Sequence, residues 1–84
     1  MAYEIKSPIP GIFYRKPSPE SDPFVEVGSA VETTTVICLI EVMKTFHEVR
    51  AGASGTIASI EVDDEEMVDA GQVIATLEPD DSGN

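Results

Sequence analysis

The chain has 84 residues, enough for one domain and not for two, and a domain of that size buries only about 60% of the surface its unfolded chain exposes. A core and a deep catalytic cleft do not both fit, so a binding, carrier or interaction module is expected, with no catalytic residues of its own, rather than a self-contained enzyme. Five Lys and Arg against sixteen Asp and Glu give a formal charge of −11, which repels phosphate backbones and anionic lipid and argues against nucleic-acid and membrane partners.

The N-terminus, Met1-Ala2-Tyr3-Glu4, lacks the basic and then apolar pattern of a signal peptide. No apolar run approaches the length needed to span a bilayer, so a reducing, cytoplasmic compartment is expected. Short β-favouring runs then follow one another, separated by Gly, Pro, Asp and Ser. The predicted strands are Glu4–Lys6, Gly11–Tyr14, Phe24–Val27, Val36–Glu41, Thr45–Arg50, Gly55–Ile60 and Val73–Leu77. Such spacing predicts an all-β sandwich or barrel. Between the second and third runs lies Arg15-Lys16-Pro17-Ser18-Pro19-Glu20-Ser21-Asp22-Pro23. Three prolines in nine residues form neither an interior strand nor a helix interior, so this segment projects as a stiff loop. It is either a tolerated surface insertion or a loop that holds one shape beside something else. The single cysteine, Cys38, sits within Val36-Ile37-Cys38-Leu39-Ile40 and reads as a small buried hydrophobe. The polar end from residue 80 to 84 is expected to be a disordered tail, leaving 3–79 as the domain.

An internal repeat is visible. Glu32 to Glu41 (E-T-T-T-V-I-C-L-I-E) matches Asp69 to Glu78 (D-A-G-Q-V-I-A-T-L-E) at an offset of 37. Val25-Glu26-Val27 lies over Ile60-Glu61-Val62, and Ser7 to Phe13 over Ala51 to Ile57, with Gly11 over Gly55. The chain therefore reads as two similar halves, with Lys44 in the join.

Val36 to Arg50 is fifteen residues without Gly or Pro. As one strand it would span about 50 Å, against a radius of gyration of ~12 Å for a chain of this length, so it must bend. The residues at the bend, Val42, Met43, Lys44 and Thr45, are poor turn formers, and local rules broken in this way tend to mark functional sites. A short amphipathic helix with Val42, Phe46 and Val49 on one face is the competing reading. A lysine at an exposed tip is by default a solvated charge. Lys44, however, is the only lysine after Lys16, it sits beside Met43 at the repeat junction, and its amine suits covalent attachment of a group carrier on a flexible stem.

Glu41-Val42-Met43-Lys44 resembles the E-A-M-K motif of biotinyl domains. Gly55-Thr56-Ile57 and Asp69-Ala70-Gly71-Gln72-Val73-Ile74 are similar to that family's later turns. Ser7-Pro8 through Gly11, Phe13-Tyr14-Arg15 and Pro17-Ser18-Pro19 resemble the biotin carboxyl carriers of bacterial-type acetyl-CoA carboxylases, whose Pro-containing insertion is a protruding thumb. The likeness runs from about Ile5 to Glu78. It implies a flattened β-barrel of two four-stranded antiparallel sheets related by a pseudo-two-fold axis, with the lysine on a tight hairpin. It further implies covalent biotin on Lys44 as a swinging arm, and Glu41, Val42, Met43 and Thr45 as the motif read by a biotin protein ligase. Biotin carboxylase and carboxyltransferase would be the partners, acetyl-CoA going to malonyl-CoA for fatty acid synthesis. By the same resemblance, Arg15, Lys16, Pro17, Ser18, Pro19, Glu20, Ser21, Asp22 and Pro23 form the thumb near biotin. Val42 replaces the usual Ala, Thr45 the usual Met or Leu, and Thr34 a usual Gly, so the turn at Thr34 is expected to differ in shape.

Two other readings compete. A lipoyl carrier shares the fold and the tip lysine, but Met43-Lys44-Thr45 does not match its usual D-K-A, and the thumb argues against it. An unmodified barrel acting as an interaction module would favour Gly or Asn at the turn. His47 reads as an exposed or cross-strand histidine. Asp63-Asp64-Glu65-Glu66 reads as a solvated turn, because the spacing and flanking helices of a calcium loop are missing. No metal-ligand set, catalytic triad, phosphate loop or dinucleotide fingerprint is present in the sequence.

Overall fold

A computed structural model describes residues 2–80. Its eight strands are β1 (Tyr3–Lys6), β2 (Gly11–Tyr14), β3 (Ala30–Val31), β4 (Val36–Val42), β5 (Thr45–Arg50), β6 (Gly55–Ile60), β7 (Met67–Val68) and β8 (Val73–Pro79). They form two antiparallel four-stranded sheets, ordered β1-β8-β6-β3 and β5-β4-β2-β7. Advancing every strand of the first sheet by four places, counted cyclically, produces the second. The duplication read in the sequence is therefore a pseudo-two-fold relation between sheets, as expected. The thinnest extent is 19 Å, which suits two stacked sheets about 10 Å apart with their outer side chains.

The core lies between the sheets, and its centre is the duplicated apolar strand. In β4 the buried residues are Ile37, Cys38 and Ile40; in β8, 37 positions later, they are Ile74, Ala75 and Leu77. Strict alternation would not bury two neighbours. A register shift between Val36 and Cys38 in β4, and its equivalent across Ile74 in β8, supplies the extra residue that turns both side chains inward. Cys38 is fully buried, as its apolar neighbours predicted, and burial pushes its thiol up to about 12.

One predicted strand does not form. Phe24–Val27 is irregular: Val25 is buried, Val27 is 63% exposed, and Glu26 to Ser29 is a turn closed by Ser29 N–H donating to Glu26 O at 2.9 Å. Two strands of only two residues, β3 and β7, occupy the corresponding place in each half, too short for alternation to reveal. The repeat register is corrected accordingly. Buried Val25 matches buried Val62, not Ile60, so the offset of 37 already holds there. It carries with it the turns at Glu26–Ser29 and Asp63–Glu66, whose third residues, Gly28 and Glu65, have φ of 97° and 68°. Upstream the offset is 44, so the first half carries seven extra residues between Tyr14 and Val25, in the proline-rich loop. The turn at Glu32–Thr35 keeps the hydrogen bond of Asp69–Gln72, but only the latter has a positive φ, 85° at Gly71. Thr34 thus turns the chain without the left-handed conformation, the difference in shape that its replacement of Gly implied. Asp80, assigned to the tail by sequence, donates its N–H to Ser54 O at 2.9 Å; residues 81–84 lie outside the described residues.

Gly11 opens β2 where it crosses β4. A Cβ there would lie 2.5 Å from Glu41 O and 2.7 Å from Ile40 Cγ2. Gly55 meets Glu78 and Leu77 of β8 in the same way. Both glycines are required by close strand approach, not by turn geometry. Gly11→Val is expected to destabilise the domain by about 2 kcal/mol, the cost of overpacking, lowering the thermal midpoint by roughly 8–16 °C in a calorimetric scan.

Candidate functional site

β4 and β5 are joined by two residues, Met43 and Lys44, with φ of 51° and 68°. Positive φ at both central residues is the signature of the type I′ hairpin turn, whose twist matches the flanking strands. The fifteen-residue run therefore bends as a hairpin, and the helical alternative is excluded: Phe46 lies on the outer face while Val49 is buried on the inner one. Neither turn residue is Gly, Asn or Asp, and each left-handed non-glycine costs about 1–2 kcal/mol. The pairing below the tip holds the turn, from Val42↔Thr45 through Glu41↔Phe46 and Ile40↔His47 to Val36↔Arg50. Met43 is 91% exposed and Lys44 is exposed too. Among the described residues the ion pairs are Lys6–Glu4 at 3.9 Å and Arg50–Glu48 at 2.8 Å, and Lys44 is in neither. What this mount presents is a primary amine at the end of a rigid ribbon, on a flexible stem.

Below the tip, the outer face of the sheet is more apolar than a solvated antiparallel face needs to be. Register places Met67, Ile12, Glu41 and Phe46 in one row, and Tyr14, Leu39 and Glu48 in the next. Tyr14 Oη donates to Glu41 Oε1 at 3.1 Å, and its ring meets Phe46 at 5.8 Å between centroids, inclined by 59°. The Glu41 hydrogen bond raises the Tyr14 phenol above its ordinary value, with desolvation and the carboxylates of Glu41, Glu65 and Asp64 acting in the same direction.

The proline-rich loop stands over this face. Its ends meet where Phe24 N–H donates to Arg15 O at 2.8 Å. Arg15 holds the base: its N–H donates to Asp64 Oδ1 at 2.9 Å and its Nη2 to Val25 O at 3.3 Å. At the loop's far end Ser18 and Ser21 join through their hydroxyls at 2.8 Å and through Ser21 N–H to Ser18 O at 3.1 Å. Lys16, Pro17, Ser18 and Pro19 face Tyr14, Phe46, Asp64 and Glu65 across a cleft of about 160 Å³. The predicted thumb residues thus divide. Four line the cleft, Arg15 anchors the base, and Glu20, Ser21, Asp22 and Pro23 complete the outer arc without lining it. Sequence reasoning missed Asp64 as the partner of Arg15, 49 residues away, and missed Phe46 as one wall of the cleft. Only an aromatic at an outward strand position hinted at the latter. His47 is exposed opposite Ile40, as read, and Asp63–Glu66 is a tight turn with Glu66 N–H donating to Asp63 O at 3.2 Å. Among the described residues no group of three or more His, Cys, Asp and Glu side chains could hold a metal, and no helix is long and apolar enough to cross a membrane.

Residues 3–77 match the family model for biotin-requiring enzymes. The chain belongs to that family. Biotin carboxyl carrier proteins of acetyl-CoA carboxylase are among its relatives. That of Pseudomonas aeruginosa is 41% identical over 73 residues, 87% of this chain and 47% of that protein. Those of Nostoc sp. and of the Glycine max chloroplast are 39% and 40% identical, over 92% and 89% of this chain and 42% and 29% of theirs. The chain spans less than half the length of these curated relatives. In the crystal structure of Kluyveromyces lactis urea carboxylase, 6% of that chain superposes on 93% of this one with a TM-score of 0.78 and 31% identity. The relatives from Pseudomonas aeruginosa, Nostoc sp. and Glycine max are carrier proteins by name, and the family's group is biotin. The residues present suit it: an amine free of ion pairs at the hairpin tip, with Phe46, two residues on, lining the cleft under the proline-rich loop.

Met43→Gly removes one left-handed penalty, about 1–2 kcal/mol, and adds a glycine's larger unfolded-state entropy, about 0.5–1 kcal/mol. The variant should be more stable by roughly 0.5–1 kcal/mol, measured as a higher urea midpoint at unchanged slope.

Proposed function

We propose that Lys44 carries biotin in amide linkage and that the domain, residues 3–79, presents this arm to the enzymes of a biotin-dependent carboxylase. The observation that carries the reading is the Met43-Lys44 turn, a strained two-residue tip that holds one exposed lysine inside a Glu41-Val42-Met43-Lys44 motif. A biotin protein ligase would read Glu41, Val42, Met43 and Thr45 while joining the biotin carboxyl to Nζ. When bound, biotin carries a carboxyl group on its ureido nitrogen from a biotin carboxylase to a carboxyltransferase. The acceptor is acetyl-CoA, giving malonyl-CoA for fatty acid synthesis, on the strength of the named relatives and the proline-rich loop.

The chain's own residues divide this work. The hairpin fixes where the arm starts, and the lysine stem adds four methylenes of reach. Tyr14 holds the Glu41 carboxylate against the outer face, which keeps the motif's acid in one orientation. The loop from Arg15 to Pro23 limits the volume open to the arm, with Lys16 to Pro19 as its inner wall. A reducing, cytoplasmic compartment fits a chain whose one thiol is buried.

Lys44→Arg should retain the fold and lose biotin uptake completely, read as intact mass after incubation with biotin ligase, biotin and ATP. An adduct on the variant would refute the assignment of the site. Excision of Lys16–Pro23 should leave the barrel folded, because Arg15 and Phe24 already touch, and should lower turnover with biotin carboxylase by about tenfold or more through loss of positioning. Loss of the β circular-dichroism signal in this deletion would make the loop structural instead.

A further inference from the structure

We infer that Met43 is a reversible oxidation site through which hydroperoxides slow the loading of Lys44. The inference rests on the reading of Lys44 as the attachment residue. Among the exposed large hydrophobic residues Met43 is the most open, at 91%, against 71% for Met67. Its side chain is half of a two-residue tip whose other half is Lys44. An enzyme that closes on Nζ of Lys44 therefore covers the thioether as well. That contact explains why an apolar residue stands fully solvated at a position where glycine or asparagine would be less strained.

The other sulfurs of the described residues are placed differently. Cys38 is fully buried in β4, and burial raises its thiol, so it offers no thiolate to a peroxide. Met67 is exposed on β7, and β2 and β4 separate it from β5. At Met43 the sulfur lone pair attacks one peroxide oxygen. The S–O bond forms as the O–O bond breaks, the thioether loses two electrons, and water or an alcohol leaves. The product is a polar sulfoxide, which methionine sulfoxide reductases return to the thioether with two electrons and two protons from a dithiol, the oxygen leaving as water. The turn itself is set by the β4–β5 ladder, so the fold stays while the surface a partner must dry becomes polar.

The test treats the 84-residue chain with hydrogen peroxide, removes the peroxide, and follows biotin uptake with biotin ligase, biotin and ATP. Peptide mapping reports oxygen at each methionine. Met43 should gain oxygen at least as fast as Met67, and the oxidised chain should load biotin about tenfold more slowly, as for one apolar contact made polar. Methionine sulfoxide reductase supplied with dithiothreitol should restore the rate. Met67→Leu should show the same sensitivity, and the rate of Met43→Leu, whatever its value, should not respond to peroxide. Full oxygen uptake at Met43 with an unchanged loading rate would overturn the inference alone, as would a slowdown that persists in Met43→Leu. An untreated chain that takes no biotin would overturn the reading of Lys44 as well, and that result is seen before any peroxide is added.

Discussion

The β4–β5 ladder is the constraint on which the site depends. Two left-handed residues without glycine cost about 2–4 kcal/mol together, a sizeable part of what a small domain has to spare. They persist because the strands below leave no alternative. Six cross-strand pairs run from Val36↔Arg50 to Val42↔Thr45, and Ile40, Cys38 and Val49 are anchored in the core beneath them. Strain that is over-determined in this way yields a fixed mount.

The duplicated architecture explains how so small a chain affords such a mount. Each half contributes an apolar strand, β4 or β8, with the same bulge and the same three buried positions, and together these strands fill the barrel. The pseudo-two-fold gives every strand junction a counterpart. The counterpart of the β4–β5 hairpin is the pair β8 and β1, joined by hydrogen bonds at Tyr3↔Leu77 and not by a covalent turn. Only one of the two equivalent places is a closed tip, and Lys44 occupies it.

Symmetry is broken by the seven extra residues of the first half. They form a proline-stiffened arc whose two ends touch through Arg15 and Phe24 and whose base is tied to Asp64. The arc covers an outer sheet face that carries Tyr14, Leu39 and Phe46 where a solvated face would carry polar residues. Met67 and Phe46 stay exposed at the margins, at 71% and 55%. The Tyr14–Glu41 hydrogen bond ties the end of β2, which leads into the loop, to β4, which leads into the hairpin.

Much of this was legible in the residues themselves. The apolar runs of β4 and β8, the offset of 37 and the three prolines each report a local requirement, whether burial or a fixed φ, which a chain must meet with particular side chains at particular spacings; the glycines at 11 and 55 showed as repeat positions, and their close approach to β4 and β8 emerged only in the fold. Lys44 stood out for the same reason, as a turn position that broke local rules. What local pattern does not encode is partnership across the fold. The two-residue strands β3 and β7 exist only because β6 and β2 lie beside them, and Phe24–Val27 gave up its strand pattern to the turn at Gly28. Asp64 became the partner of Arg15, and Phe46 a wall of the cleft, once the sheets stacked and the arc folded over them. The sequence by itself determined the duplication, the core and the residue at the tip, because these follow from burial and backbone freedom counted along the chain. The tertiary structure alone decided the cleft and the anchoring of the arc, because those depend on which surfaces distant segments turn toward one another.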